Sequence, residues 1–312
     1  MDVYGQGNLE DDDRRRAETL AELSAERAPS VLRDADALAD RAAAEREVAD
    51  LATRELAAGG LDVERLDALA SDRSDARRER AVAAHRRAVE ASDGIARRLA
   101  ELTPHLTFPA DPMNVIIDRV TFIRSFADAG VVVDSEVASL DSWARYRMDS
   151  SATALTGGGT GRLSFFTLWR NPRTQPIVMN GGARLVVNAH LAVDAEWNGV
   201  AAWFIGGSEA RATVRARTTM HAMWDSSIHA IVQDRVIADA GATGGFFGGD
   251  DSASLAFNEF LQGSGFAVPA QASVLIEVEL LTEWVATSGS VRLDAESGAF
   301  RVSVPHLVFT IA

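Results

Sequence analysis

Residues 209–224, EARATVRARTTMHAMW, restrict the fold more than any other stretch of the chain. Ala210, Ala212, Val214, Ala216, Met220, Ala222 and Trp224 alternate with Arg211, Thr213, Arg215, Arg217 and His221. A period of two sustained over that length fits an extended strand with one apolar and one wet face, and no helix. The same rhythm recurs in NVIIDRVTFIRSF, RLSFFTLW, ARLVVNAHLAVDAEW, IHAIVQDRVIA, ASVLIEVELLTEW, GSVRLDA and AFRVSVPHLVFTIA. Glycine, proline, asparagine and serine clusters separate these runs: RNPRTQP, NGG, EWNG, WDSS, SGS and ESG. About ten strands with no interleaved helix predict an antiparallel β-sandwich, jelly-roll-like in kind. Within this half, Asp134–Ser151, with Trp143 and Tyr146, reads equally as an extended strand or a short helix.

A break in composition near Thr103-Pro104 bounds that region. Residues 1–103 hold 24 of the 45 acidic residues and 17 of the 31 basic ones, but of the 21 aromatic residues only Tyr4. Such a segment has to pack through Ala, Leu and Val. Spacings of three and four place Val31, Ala35, Leu38, Ala42, Ala49, Ala52 and Leu56 on one heptad-like stripe, interrupted by Glu45. Pro29-Ser30 can start this helix and Gly59-Gly60 can stop it. A further helix is expected over Leu61–Leu102, with SDRSDARRER weakening its middle. The chain is thus predicted to be α+β: an Ala/Arg/Glu-rich, coiled-coil-like region at 1–103, then the sandwich at 104–312. Alanine seams bury little surface, so the stripe through Leu38 and Leu56 asks for a partner, either its own β domain or another copy of the chain.

The net charge of −14 disfavours nucleic acid and anionic membrane as partners. All 31 basic side chains are arginine, and cysteine is absent. Disulfides, thiolate sites and the lysine of a phosphate loop are thereby excluded, so TGGGTG at 156–161 reads as a linker or tight turn. The polar N-terminal stretch has no apolar signal core, and no run of 18 apolar residues occurs. The expected location is the cytoplasm where the chain is made, with release as part of a particle open.

No catalytic, cofactor or metal constellation stands out, and none is predicted. His221 and His229 flank a hairpin turn at Asp225-Ser226, but two ligands do not make a zinc site. Arg211, Arg215 and Arg217 share a strand face that could hold an oxyanion, and the plainer expectation is a solvated face balanced by acids. Glu277 and Glu279 share a face as well, where exposed strand charges are the commoner explanation. Asp250 and Asp251 are too few for a calcium cage.

One segment raises the question of what covers it. GGFFGGDD, at 244–251, sets Phe246 and Phe247 between two glycine pairs, in what reads as a loop tip. Covering one phenylalanine is worth roughly 1.5–3 kcal/mol, so the pair is expected against the core, a neighbouring subunit or a lipid surface. Leu38, Leu56, Phe246 and Phe247 are therefore the candidate interaction residues of a non-enzymatic, self-associating structural subunit, alone or with other structural proteins. A pore-forming protein is one alternative. A carbohydrate-binding sandwich with Trp169, Trp197, Trp203 or Trp224 as stacking platform is another.

Overall fold

The structure, a computed structural model, describes residues 11–27, 47–48, 50–102, 114–127, 130–196, 208–244 and 249–312. Leu38, Phe246, Phe247, Trp197 and Trp203 lie outside these residues. Helix α1 spans Asp11–Arg27 and helix α2 spans Val63–Leu102. Residues 50–58 are helical too and end at Gly59-Gly60, where Leu61 N–H donates to Leu56 O at 3.1 Å. Gly60, at φ +88°, adopts the left-handed geometry that stops a helix and that a side chain would disfavour. Asp62 then caps α2 by accepting from Arg65 N–H at 3.0 Å. The helix expected over Leu61–Leu102 is thus present almost to the residue, and it runs unbroken through SDRSDARRER.

Among the described residues eleven strands follow: β1 Asn114–Ile117, β2 Phe122–Ala127, β3 Gly130–Glu136, β4 Ser142–Arg170, β5 Ile177–Ala195, β6 Ser208–Ala222, β7 His229–Gly244, β8 Gly249–Val268, β9 Ser273–Ala295, β10 Arg301–Val304 and β11 Leu307–Ile311. They form one antiparallel network in the order β1-β11-β5-β10-β4-β9-β6-β7, with β2 and β3 added on β4 and β8 on β5. The segment Asp134–Ser151 is strand, ending β3 and opening β4.

Strand β9 joins two layers. One edge pairs with β4 from Ser273 to Ala295; the other pairs with β6 as far as Thr287 and with β5 from Gly289 onward. The change of neighbour falls at Ser288, φ +47°, and at Gly289, where a Cβ would collide with the Asp194 carbonyl. Past this bend the β5–β8 ribbon lies over β6–β7. Leu185, Val187, Leu191, Leu255 and Leu261 pack in one core with Ala212, Val214, Ala216 and Ala240, so the body is sandwich-like.

Three glycine segments read as turns or a linker lie instead inside long strands. TGGGTG is in mid-β4, paired with Thr282–Thr287 of β9. Gly161 is required there, because a Cβ would strike Met148 and the Tyr146 hydroxyl. NGG lies in β5, where Gly182 leaves room for the Leu261 carbonyl of β8. SGS is the bend of β9. In each case glycine admits a close neighbour or a bend in a continuing strand rather than ending it.

The two helices sit on outer faces of the sheet. Helix α1 lays Ala17, Leu20 and Ala21 on Phe122, Phe166, Leu168 and Leu275. Helix α2 runs across alternate residues of β5: Arg184 donates to Leu102 O, Asn188 to Ser92 O, and Arg77 lies 3.5 Å from Asp194.

Candidate functional site

Beside the seat of α1, on the same sheet face, alternate residues of four strands meet. Strand β4 supplies Arg162 and Ser164, β9 supplies Glu277 and Glu279, β6 supplies Arg217 and His221, and β7 supplies Asp234. Glu277 is fully buried. Its Oε1 accepts from Arg162 Nη2 at 2.5 Å and from Ser164 Oγ at 2.7 Å, and its Oε2 lies 3.0 Å from His221 Nε2. Glu279, also buried, has Arg162 Nε 2.5 Å from Oε2 and Arg217 Nη1 3.1 Å from Oε1. The first contact is an ion pair without the alignment of a hydrogen bond. Arg217 reaches on to Asp234 at 3.3 Å, Asp234 to Arg215 at 2.9 Å, and Arg215 to Glu283 at 3.9 Å.

Burial and partners drive the two carboxyls apart. Burial alone would raise Glu277, but hydrogen bonds from His221 and Ser164 and the charges of Arg162 and His221 hold it down at about 2. Glu279 is raised to about 7 by burial and by the Glu277 charge, which Arg162 and Arg217 only partly offset. For Arg162, burial opposes the charge, yet Glu277 and Glu279 hold it firmly protonated. An ionised carboxylate beside a neutral acid is the pattern of an acid/base pair. Here neither carboxyl reaches solvent and Glu277 has partners on both oxygens, so the pair ties β4, β9 and β6 together instead.

Three groupings singled out separately in the sequence converge on this face. His221 stands opposite His229 across the hairpin, with rings 6.2 Å apart. Asp225 shapes that turn by accepting from the amide and the hydroxyl of Ser227, which lower its pKa. The arginine row is balanced by acids as expected, with Arg211 on Asp239 at 2.8 Å at its wet end. Glu277 and Glu279 depart from the expectation of exposed charges. Arg162 and Asp234 went unremarked in the sequence, although Arg162, Ser164, Phe166 and Leu168 alternate in a way that marks a face half polar and half apolar.

Other candidates are placed elsewhere. Asp251 accepts from Gly241 N–H at 3.1 Å and Asp250 lies 3.8 Å from Arg77, so both have protein partners. Among the described residues no group of three or more His, Cys, Asp or Glu is arranged to hold a metal ion. Trp169 is buried in the core and cannot be a surface platform, while Trp224 is exposed beside Phe266. Leu56 is half-buried.

No family model matches this chain, and no curated protein matches it. Among solved structures, TmCBM61 in complex with β-1,4-galactotriose is 10% identical, with 62% of this chain covering 91% of that one at a TM-score of 0.18. A chain of the T13 IBDV viral particle is 13% identical over 66% of this chain and 40% of its own length, at a TM-score of 0.15. TmCBM27, a mannan-recognising carbohydrate-binding module, is 8% identical over 59% of this chain and 98% of its own, at 0.17. These likenesses are too slight to carry an argument about fold or function.

Proposed function

We propose that this protein is a non-enzymatic structural subunit that associates with copies of itself through its helical region and presents the β body. The observation that carries this reading is where large apolar side chains meet solvent. Val48, Leu51, Leu61 and Leu69 stand 48%, 56%, 44% and 49% exposed around the Gly59-Gly60 turn, on a helical region with little core of its own, while the β body, which also exposes Val131, Val133, Val137 and Leu140 about β3, keeps a continuous core. Apolar side chains gathered in one short region of a helical pair are what a second copy would cover. A non-enzymatic role is favoured because the richest cluster of ionisable groups is shut away from any substrate. The acidic surface speaks against nucleic acid, and among the described residues no helix is long and apolar enough to cross a membrane.

The test is the mass of the full chain by light scattering at micromolar concentration. An oligomer is expected, and Leu51→Asp with Leu69→Asp should reduce it towards the monomer while the melting temperature of the β body is kept, because exposed positions tolerate charge. A monomeric parent protein, or an oligomer indifferent to both substitutions, would refute the reading.

A further inference from the structure

Where α2 crosses the start of β4 and β10, a cavity of about 330 Å³ opens between helix and sheet. Its floor is the turn Gly298–Phe300; its walls are Asp93 and Ala96 of α2, Trp143 and Arg145 of β4, and Arg301 of β10. The turn is held firmly. Gly298 has φ +60°, Ala299 N–H donates to Ser92 Oγ at 3.0 Å, and Asn188 Nδ2 donates to both Ser92 O and Ala299 O.

The polar groups around this notch are not equally engaged. Arg301 is paired with Asp141 at 3.0 Å, and Arg147, the next residue on this face of β4, is paired with Asp149 and Glu296. Arg145 has no carboxylate partner among the described residues; its guanidinium lies over the Trp143 ring, 6.0 Å from the centroid, far enough to leave part of the indole face open. Trp143 is half-exposed and its plane is fixed by an Nε1 hydrogen bond to Glu136 Oε2 at 3.2 Å. Asp93 offers a solvent-exposed carboxylate from the opposite wall.

We infer that this notch is a binding site for an acidic pyranose, a hexuronate-type sugar. Each lining group answers one part of that ligand. The indole face is electron-rich and attracts the weakly positive C–H face of a pyranose ring. The guanidinium beside it binds a carboxylate through two parallel hydrogen bonds. Asp93 accepts hydrogen bonds from ring hydroxyls. A guanidinium with no carboxylate partner among the described residues is conspicuous on a chain of net charge −14, where the neighbouring Arg147 and Arg301 have acids. The carboxylate of Asp93 disfavours a dianionic phosphate more than a singly charged sugar. The volume falls at the small end of ligand pockets, enough for one or two rings.

The test is calorimetric titration of the full chain with methyl glucuronoside, and with methyl glucoside as the uncharged match. Saturable binding of the glucuronoside is expected, about tenfold tighter than the glucoside. Arg145→Gln should erase that difference without changing the melting temperature or native mass. Trp143→Ala should abolish binding of both, and Trp143→Phe should restore part of it. Should Trp143→Ala fail to fold, Arg145→Gln alone decides. Absence of saturable glucuronoside binding, equal affinity for the two sugars, or a preference unchanged in Arg145→Gln overturns the site. None of these outcomes bears on self-association.

Discussion

Helices α1 and α2 are held on the sheet by different balances of contact. Helix α1 buries Ala17, Leu20 and Ala21 and pairs Glu18 and Glu22 with Arg124 of β2 at 3.4 and 2.8 Å, and its seat is mainly apolar: Phe122 stacks on Phe166 at 4.7 Å, Phe126 meets Phe166 edge-on at 6.0 Å, and Leu168 and Leu275 complete it. Helix α2 has a seat of polar groups. Asn258 donates to Leu99 O, Arg184 to Leu102 O and Asn188 to Ser92 O, while His85 sits 3.1 Å from Asp294 and 5.4 Å from the His190 ring. Apolar contact is non-directional and tolerates sliding, whereas each hydrogen bond demands one register. A helix of 40 residues laid along a strand can slip by a turn, and the polar row from Arg184 to Asp194 fixes its position. The short α1 relies mainly on apolar adhesion, with Arg124 pinning one side through Glu18 and Glu22.

Breaking the apolar seat should cost most. Phe166 is fully buried between Phe122 and Phe126. Phe166→Ala is expected to destabilise the fold by about 3–5 kcal/mol, with α1 released to proteolysis before the β body unfolds. Chemical denaturation with timed limited digestion measures both. If digestion still spares α1, the aromatic patch is not what holds it.

The polar seat should yield less per residue, and without releasing a whole element. Asn188 Nδ2 serves two carbonyls, Ser92 O and Ala299 O. Asn188→Ala leaves both without that donor in a mostly dry contact, at a cost of about 1–3 kcal/mol. Hydrogen exchange should show faster exchange around Ser92 and little change at Arg77 or Leu99, whose contacts are separate. Uniform acceleration along α2 would mean that the row acts as one cooperative unit.

Helix α2 and the strands beneath it could be read from the sequence, whereas α1 and the two seats could not, and the unread part has a physical cause. Strand β6 and helix α2 announce themselves by period. The hairpin that sets His221 opposite His229 follows from Asp225-Ser226. Arg184, Asn188, His190 and Asp194 alternate with Leu185, Val187, Ala189, Leu191 and Val193, so a two-sided strand was visible, but not that its polar side faces a helix. The glycines misled because TGGGTG carries the same local signal whether the chain turns or a neighbour presses close. The difference lies in Met148 and Tyr146 on the same folded-back strand, which no local window contains. Glu277 and Glu279 failed likewise: their shared face was legible, while their burial depends on what covers the sheet.

The smallest effect, and the one that separates the two faces most sharply, is the sign of their response to pH. On the α1 face, Glu279 is raised from an ordinary 4.5 to about 7, so between those values the folded protein keeps a proton that the unfolded chain has lost. Its contribution is therefore full below pH 4.5 and is lost as pH rises towards 7. On the α2 face, His190 is lowered by burial and by His85, against Asp294, and His306 is lowered to about 4 by burial and by Arg184. The unfolded chain binds those protons first, so their contribution is full above about pH 6.5 and is lost as pH falls. Asp194, raised by burial, acts in the same sense as Glu279 from lower pH. The slopes oppose one another in the parent protein, each limited to about 1.4 kcal/mol per pH unit for one proton. Substitution uncovers them. Glu279→Gln should leave a stability that rises more steeply with pH between 5 and 7 than the parent's, and His190→Gln should shift the slope the opposite way. Urea denaturation of the three proteins at pH 5, 6 and 7 reads the slopes. Parallel profiles for Glu279→Gln and the parent would mean that Glu279 is ionised throughout, and the buried cluster would then hold two charged carboxylates on Arg162.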